Sequence, residues 1–179
     1  MSQSIPSRLH GSRFSILFGA CLGLLFLGFS YGESVLGLLY LYPISVSAAA
    51  LLNLIGIPTT LSTDSLLAEG FCALAMKGVV FQVKHECTGL FALFTYLAAV
   101  CAYPSRMVHK VWGVLCGVPL FFVYAACRLT LLGLIAQAMP AWLQYFHVYF
   151  LVILNLGFTM FLWATWVRRG PLVGRDGHR

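Results

Sequence analysis

Five long apolar runs, separated by short polar links, constrain this chain more than any other feature. The runs cover residues 14–29, 35–57, 88–103, 111–137 and 148–167. A helix that crosses a bilayer needs about 20 mainly apolar residues, so several of these runs are long enough to span a membrane. Charged residues make up only 9% of the chain, whereas they make up about a quarter of a typical soluble domain. We therefore expect an all-α integral membrane protein.

The first apolar run has a cleavable signal peptide as its alternative interpretation. Arg8 and Arg13 precede this run, and small residues within 30–32 offer a cleavage position. The run is longer than the usual signal-peptide core of about 7–15 residues, and further apolar runs follow it. These features favour an uncleaved first span.

The distribution of basic residues predicts the topology, because Lys and Arg are enriched on the cytoplasmic side of membrane proteins. A cytoplasmic side that contains residues 1–13, 104–110 and 168–179 accounts for eight of the eleven Lys and Arg residues. Residues 58–86 are then extracytoplasmic. Since the basic residues stand at helix ends rather than on one patch, nucleic acid is not expected as a partner.

This topology creates a parity problem before residue 58. A cytoplasmic N-terminus and an extracytoplasmic segment 58–86 require an odd number of crossings, yet two apolar runs precede that segment. The second run is interrupted by Pro43 and contains three further polar side chains. We expect its later part, 44–57, to form a helix that lies at the outer interface or re-enters the membrane.

Residues 58–86 predict a small extracytoplasmic β-hairpin, with an irregular loop as the alternative. Three valines within 79–83 favour a strand, and Gly78 marks a turn between this strand and the segment 66–76. The chain is therefore expected to form a single membrane-embedded domain over 1–179. That domain would contain four spanning helices, one interfacial or re-entrant helix and the hairpin.

Cys87 lies where the polar segment 84–86 meets an apolar run. A thiol at a membrane surface has apolar support on one side and water and charged partners on the other, which is where a nucleophile of lowered pKa can be built. None of the six cysteines belongs to a C-x-x-C pair, which argues against a thioredoxin-like redox pair or a zinc ribbon. Cys21, Cys101 and Cys116 lie inside apolar runs, where cysteine behaves as a small hydrophobic residue.

Two later polar residues are predicted to reach the same membrane face as Cys87. The seventeen residues from Val111 to Arg128 rise roughly 25 Å along a helix, close to the full hydrocarbon thickness. An arginine inside an apolar run is costly and indicates a functional site, although it can also extend to the lipid headgroups. His147 follows Pro140, which ends the outward helix, and begins the last inward run. A lone interfacial histidine is usually structural, but one at the depth of a cysteine and an arginine suggests a site.

Acyl transfer by a thiolate is the chemistry that fits these three residues. His147 would take the thiol proton and later protonate the leaving amine. Arg128 would stabilise the thiolate or the oxyanion of a tetrahedral intermediate. Thr88 and Gly89 would border the site. Glu86 would help to orient the imidazole or, more simply, is a solvated loop residue. No metal is expected.

The chain resembles the exosortase/archaeosortase family of membrane-embedded cysteine transpeptidases, and looks most like its short members of the exosortase H type. The resemblance runs from about Pro43 to Arg168. It is carried by the helix end Leu54-Ile55-Gly56-Ile57, the hairpin that leads into Glu86-Cys87-Thr88-Gly89, the segment around Arg128, and His147-Val148. The resemblance implies that Cys87, Arg128 and His147 are catalytic. Family members often carry asparagine at the position of Ala125.

The resemblance also implies the substrate and the partners. The substrate would be an exported protein with a C-terminal sorting signal, which consists of a short recognition motif, a hydrophobic helix and a basic tail. The enzyme would cleave near the motif, form a thioacyl intermediate and pass the protein to an acceptor. It would act at the extracytoplasmic face of the cell membrane, in contact with membrane lipid and without a metal or organic cofactor.

Two rival functions stay open at this point. Cys72 and Cys87 are both expected outside, and a disulfide between them would indicate a membrane thiol-redox protein. Alternatively, the chain would be a non-catalytic membrane assembly protein, in which Arg128 and His147 only anchor helix ends.

Overall fold

The computed structural model describes residues 6–76 and 78–170, which are mostly helical and include one small sheet. Of the predicted cytoplasmic tail, 168–179, residues 171–179 lie outside the described residues. Of the predicted N-terminal segment, 1–13, residues 1–5 lie outside them.

The first two apolar runs form one continuous helical element. Helix α1 spans Pro6–Leu36, a π-helical turn spans Gly37–Leu41, and α2 spans Tyr42–Leu54. Pro43 stands at the start of α2, directly after the π turn. In a regular α-helix the proline ring clashes with the carbonyl of the fourth residue before it, and the wider π turn relieves that clash. The expected separate helix over 44–57 is therefore corrected, since this segment continues the first helix.

This continuity removes the parity problem. Residues 12–54 form one candidate span of 43 residues rather than two. At 1.5 Å per residue the element is about 65 Å long, roughly twice the thickness of the hydrocarbon core. Gly32 has φ −112° and ψ 18°, outside the helical region, so the element bends there. The element is therefore longer than one crossing requires, and its α2 part packs against α5.

The segment after α2 forms a three-stranded antiparallel sheet in the order β1-β2-β3. Its strands are β1, Thr59–Ser62, β2, Cys72–Met76, and β3, Val79–Val83. The predicted hairpin is confirmed as the β2–β3 pair, whose turn contains Gly78 at φ +84°, a backbone conformation that glycine adopts without strain. Strand β1 and the one-turn helix α3, Leu66–Glu69, were not predicted.

Asn53 fixes the sheet to the end of α2. Its amide nitrogen donates a hydrogen bond to the carbonyl of Thr59 at 3.0 Å, and its amide oxygen accepts one from the Thr59 N–H at 2.8 Å. A short edge strand is thereby joined to the long helix. This attachment gives the β2–β3 hairpin, and the residues that follow it, a fixed position.

Helices α4 and α5 pack closely through two glycines. Helix α4 spans Leu90–Ala102 and α5 spans Met107–Ala138. A Cβ atom at Gly117 would collide with the ring of Tyr96, whose hydroxyl donates a hydrogen bond to the carbonyl of Gly113 at 3.0 Å. Small residues let membrane helices approach closely. Here Gly117 makes room for the ring of Tyr96, and Gly113 makes room for the indole of Trp166.

The last helical element runs from Pro140 to Arg169. It consists of a 3-10 turn, Pro140–Trp142, a short helix α6, Leu143–Tyr145, a π-helical turn, Phe146–Phe150, and α7, Leu151–Arg169. It is one of three helices among the described residues that are long and apolar enough to cross a membrane, with residues 12–54 and α5. Helix α4 is apolar but has only 13 residues. The protein is therefore a multi-pass, mostly helical membrane protein.

Candidate active site

Cys87 lies in a tight turn between the sheet and α4. After β3 the chain forms a 3-10 turn over His85–Thr88, and Gly89 then begins α4 with φ +76°. The Cys87 N–H donates to the carbonyl of Lys84 at 3.0 Å, and the Thr88 hydroxyl donates to the carbonyl of His85 at 2.7 Å. These hydrogen bonds fix the backbone of the turn that carries the thiol.

The structure brings His147 to this thiol. The distance between Cys87 Sγ and His147 Nε2 is 3.8 Å, within the range of a hydrogen bond to sulfur. His147 lies in the π-helical turn before α7, and its ring packs edge-on against Phe81 of β3. Its other ring nitrogen, Nδ1, is buried and has no hydrogen-bond partner within the described residues. The imidazole is therefore placed to exchange a proton with the thiol.

Arg128 approaches the same turn from α5. Its side chain is only 6% exposed, and its guanidinium interacts electrostatically with Cys87. The Nη1 atom lies 3.4 Å from the point that a Cβ on Gly89 would occupy. Neither Nε nor Nη1 has a hydrogen-bond partner among the residues that the structure describes. A buried guanidinium with unused donors is costly in an apolar interior, and it is therefore a candidate for binding negative charge.

The buried position of Cys87 changes the expected charge state of its thiol. Burial raises the pKa of Cys87 above its ordinary value, and this effect exceeds the opposing effects of a backbone hydrogen bond and of the Arg128 and Lys84 charges. The expectation of a thiol with a lowered pKa is therefore wrong for the resting site. Because burial favours the neutral thiol, a thiolate has to form by proton transfer, and His147 is at hydrogen-bonding distance.

The three residues predicted to border the site differ in position. Glu86 is exposed, which agrees with its interpretation as a solvated loop residue. Thr88 is fully buried and its hydroxyl is used within the turn. Gly89 faces Arg128 and also Asn155 of α7, whose Oδ1 atom lies 3.0 Å from the point that a Cβ on Gly89 would occupy. Thr88 therefore supports the turn, while Gly89, which has no side chain, lets the amide and the guanidinium approach the turn closely.

Cys72, the cysteine of the rival redox function, lies in β2 and is fully buried. Both Cys72 and Cys87 are free thiols. A hydrogen bond links Cys72 to Ser45 of α2, and Cys72 belongs to the apolar core. Its contacts are therefore those of a packing residue.

Three further residues, Asn155, Tyr40 and Tyr124, adjoin Arg128 and are not among the site residues predicted from the sequence. Tyr40 and Tyr124 both interact electrostatically with Arg128, and their hydroxyls are buried without hydrogen-bond partners among the described residues. The sequence does contain one indication of Asn155: its polar amide lies inside the last apolar run, and polar groups within a membrane span are energetically costly. The π turn around His147 carried no sequence signal.

A groove of about 560 Å³ opens between α5 and α7 next to Arg128. Most of its lining is apolar, and it includes Leu131, Ile153, Phe158 and the unobstructed Gly157. Arg128 therefore borders both the turn that carries Cys87 and an apolar surface formed by two long helices.

The fold and the site together define a multi-pass membrane protein with a buried cysteine, a histidine and an arginine at one location. The model of the transmembrane exosortase family, Exosortase_EpsH, matches residues 9–167 of the chain. The protein therefore belongs to the transmembrane exosortase family. No curated protein and no solved structure matches the chain.

Proposed function

We propose that this protein is a membrane-embedded cysteine peptidase or transpeptidase of the short exosortase H type, and that it cleaves C-terminal sorting signals of exported proteins. The observation that carries the proposal is the 3.8 Å approach of Cys87 Sγ to His147 Nε2, with the buried Arg128 at the same turn. Membership of the exosortase family supports a transpeptidase-type role.

The reaction begins with the neutral thiol. His147 Nε2 accepts the proton of Cys87 as the sulfur attacks the carbonyl carbon of the scissile peptide, and the carbonyl oxygen becomes an oxyanion. Arg128 has unused donors to stabilise that charge. The imidazolium then gives its proton to the leaving amine as the C–N bond breaks. In the second half, an acceptor loses a proton to His147 and attacks the thioester. The sulfur leaves as a thiolate and takes that proton from the imidazolium, which restores the neutral thiol and the neutral imidazole.

The site is assigned to the extracytoplasmic side by the charges at the other end of the helices. The imidazole of His109, near the start of α5, stacks on Trp166, near the end of α7, with ring centroids 4.5 Å apart. The start of α5 and the end of α7 therefore meet, and Lys110, Arg168 and Arg169 lie at that end. With these basic residues in the cytoplasm, Cys87 is outside.

This assignment requires α4 to be a fourth crossing. Helix α4 is about 20 Å long, shorter than the hydrocarbon core. A short span is accommodated by local thinning of the bilayer and by residues that flank it. The same arrangement makes residues 58–86 extracytoplasmic and the segments 1–13 and 168–179 cytoplasmic, within one domain over 1–179.

Impermeant thiol labelling tests the sidedness. A membrane-impermeant maleimide added to intact cells should label Cys87 slowly, because the thiol is buried, and should leave Cys101 unlabelled at the cytoplasmic end of α4. Labelling of Cys101 with protection of Cys87 would reverse the topology.

The proposed substrate is an exported protein with a recognition motif, a hydrophobic helix and a basic tail, and membrane lipid surrounds the complex. Co-expression with a tagged candidate of this kind tests the function. Cys87→Ala should abolish processing while the protein still inserts, whereas Cys72→Ala, a matched removal of a buried thiol, should process normally. Processing by Cys87→Ala would instead favour an assembly role, and loss with both variants would favour a thiol-redox role.

A further inference from the structure

Two side chains from different helices approach the backbone of Gly89 closely. A Cβ atom on Gly89 would lie 3.0 Å from Asn155 Oδ1 of α7 and 3.4 Å from Arg128 Nη1 of α5. A Cβ at the first distance would force a neighbour to shift. Because Gly89 has no side chain, the amide and the guanidinium both reach its backbone at the start of α4.

The two groups that meet at this point are both buried and both unsatisfied. Asn155 Oδ1 has no hydrogen-bond donor, and Arg128 Nε and Nη1 have no acceptor, among the residues that the structure describes. They do not bond to each other, although one is an acceptor and the other a donor. Buried polar atoms are almost always paired, so two opposite orphans at one point indicate a ligand with one donor and one acceptor.

The position of these groups relative to the thiol identifies the ligand as part of the substrate. Cys87 is two residues before Gly89 in the same turn, and the charge of Arg128 acts on its sulfur. In a regular α-helix, residues seven apart lie on the same face. A π turn adds one residue to the helix, so that residues eight apart across it lie on the same face. The π turn at Phe146–Phe150 therefore directs His147 and Asn155 toward the same turn.

We propose that Asn155 and Arg128 bind the backbone of one extended substrate residue next to the scissile bond. The N–H of that residue donates to Asn155 Oδ1, and the carbonyl oxygen of the same residue accepts from Arg128. In an extended chain the N–H and C=O of one residue point to the same side, and together they supply the donor and the acceptor that the site lacks. Asn155 is thus a substrate-binding residue that reads the backbone and not the side chains. This inference rests on the proposed function, since it assumes that a polypeptide reaches Cys87.

A pair of alkylating peptides tests this without a known substrate. Bromoacetyl-Gly-Gly-amide carries peptide N–H groups, and its N-methylated twin lacks them while keeping the same reactive carbon. Both are reacted with the full-length protein in membrane vesicles, in a background where only Cys87 remains as a thiol. Mass spectrometry gives the rate constant for Cys87 modification by each reagent, with methyl methanethiosulfonate, which has neither an N–H nor a carbonyl group, as the reagent without a peptide backbone.

The wild-type protein should react about three- to tenfold faster with the N–H peptide than with its twin, after correction for their rates with a free thiol, as expected for one hydrogen bond. Asn155→Ala should reduce this ratio to one and leave the rate of modification by methyl methanethiosulfonate unchanged. Leu156→Ala, at an exposed position of the same helix, should keep the wild-type ratio.

A ratio of one in the wild-type protein overturns the inference whether or not the variant folds. An unchanged ratio in Asn155→Ala overturns the inference as well. A changed rate with methyl methanethiosulfonate in that variant also overturns it, because the residue would then act on the thiol itself. Failure of the proposed function is recognised by a different experiment, the co-expression test, in which Cys87→Ala would then still process the substrate.

Discussion

Replacing His147 with glutamine should slow the alkylation of Cys87 strongly at neutral pH. The sulfur and the imidazole nitrogen are 3.8 Å apart. With an effective dielectric constant of about 20, opposite unit charges at this distance attract by about 4 kcal/mol, or about three pKa units. The desolvation of the imidazolium offsets part of this stabilisation. We therefore expect the rate constant at pH 7 to fall by about 10²- to 10³-fold, within the usual range for a general base.

The assay is the pH dependence of iodoacetamide alkylation, in a background where the other five cysteines are replaced. The thiol pKa is already raised by burial, and the loss of the imidazolium partner removes a group that favours the thiolate. The pH midpoint should therefore rise in His147→Gln, and the curves of variant and wild type should converge at high pH. His109→Gln is the matched control, because His109 stacks on Trp166 at the other end of α5. Equal rates for His147→Gln and the wild-type protein at pH 7 would refute the pairing.

Two further predictions concern the charges at the thiol and the packing of α5. Because the Arg128 charge lowers the pKa of Cys87 and the Glu86 charge raises it, Arg128→Gln should raise the alkylation midpoint by about one unit. Glu86→Gln should lower the alkylation midpoint by a smaller amount, and added salt should reduce this shift. Midpoint shifts of the same sign in the two variants would contradict the opposite effects of the two charges. Gly117→Ala should lower the thermal unfolding midpoint in detergent, at a cost of about 1–3 kcal/mol, because its Cβ collides with an aromatic ring of α4. Gly157→Ala should leave the unfolding midpoint unchanged, because a Cβ at that position meets open space. Equal changes in the midpoint for the two variants would show that the close contact at Gly117 is not the cause of the destabilisation.

Much of the fold was predictable because its signals are local. The apolar runs define the long helices, and the valines of β3 with the glycine turn define the hairpin. The sequence did not reveal that α1 and α2 are continuous, because Pro43 in an apolar run is compatible with a break or with a π turn. Strand β1 has only four residues, and its pairing depends on Asn53 and on β2. A strand that depends on such tertiary contacts leaves no periodic pattern in the sequence from which it could be predicted.

The location of the candidate site followed from polar residues at the ends of apolar runs, and the structure places Cys87, Arg128 and His147 together. Their roles remain predictions. The charge state of the thiol was mispredicted, because burial depends on which helices cover the turn. Asn155 was missed for a similar reason, since the register shift of the π turn, which sequence does not show, brings it to the site.

Isolation of the thioacyl intermediate on Cys87 tests covalent catalysis most directly. An uncleaved substrate that the wild-type protein processes is incubated with the full-length protein without an acceptor. The reaction is quenched in acid, and the peptide containing Cys87 is analysed by mass spectrometry. We expect an adduct on Cys87 with the mass of the acyl part of the substrate, released by hydroxylamine and more abundant when acceptor is withheld. Cleavage of the substrate with an unmodified Cys87 at every time point, and undiminished cleavage by Cys87→Ala, would contradict it.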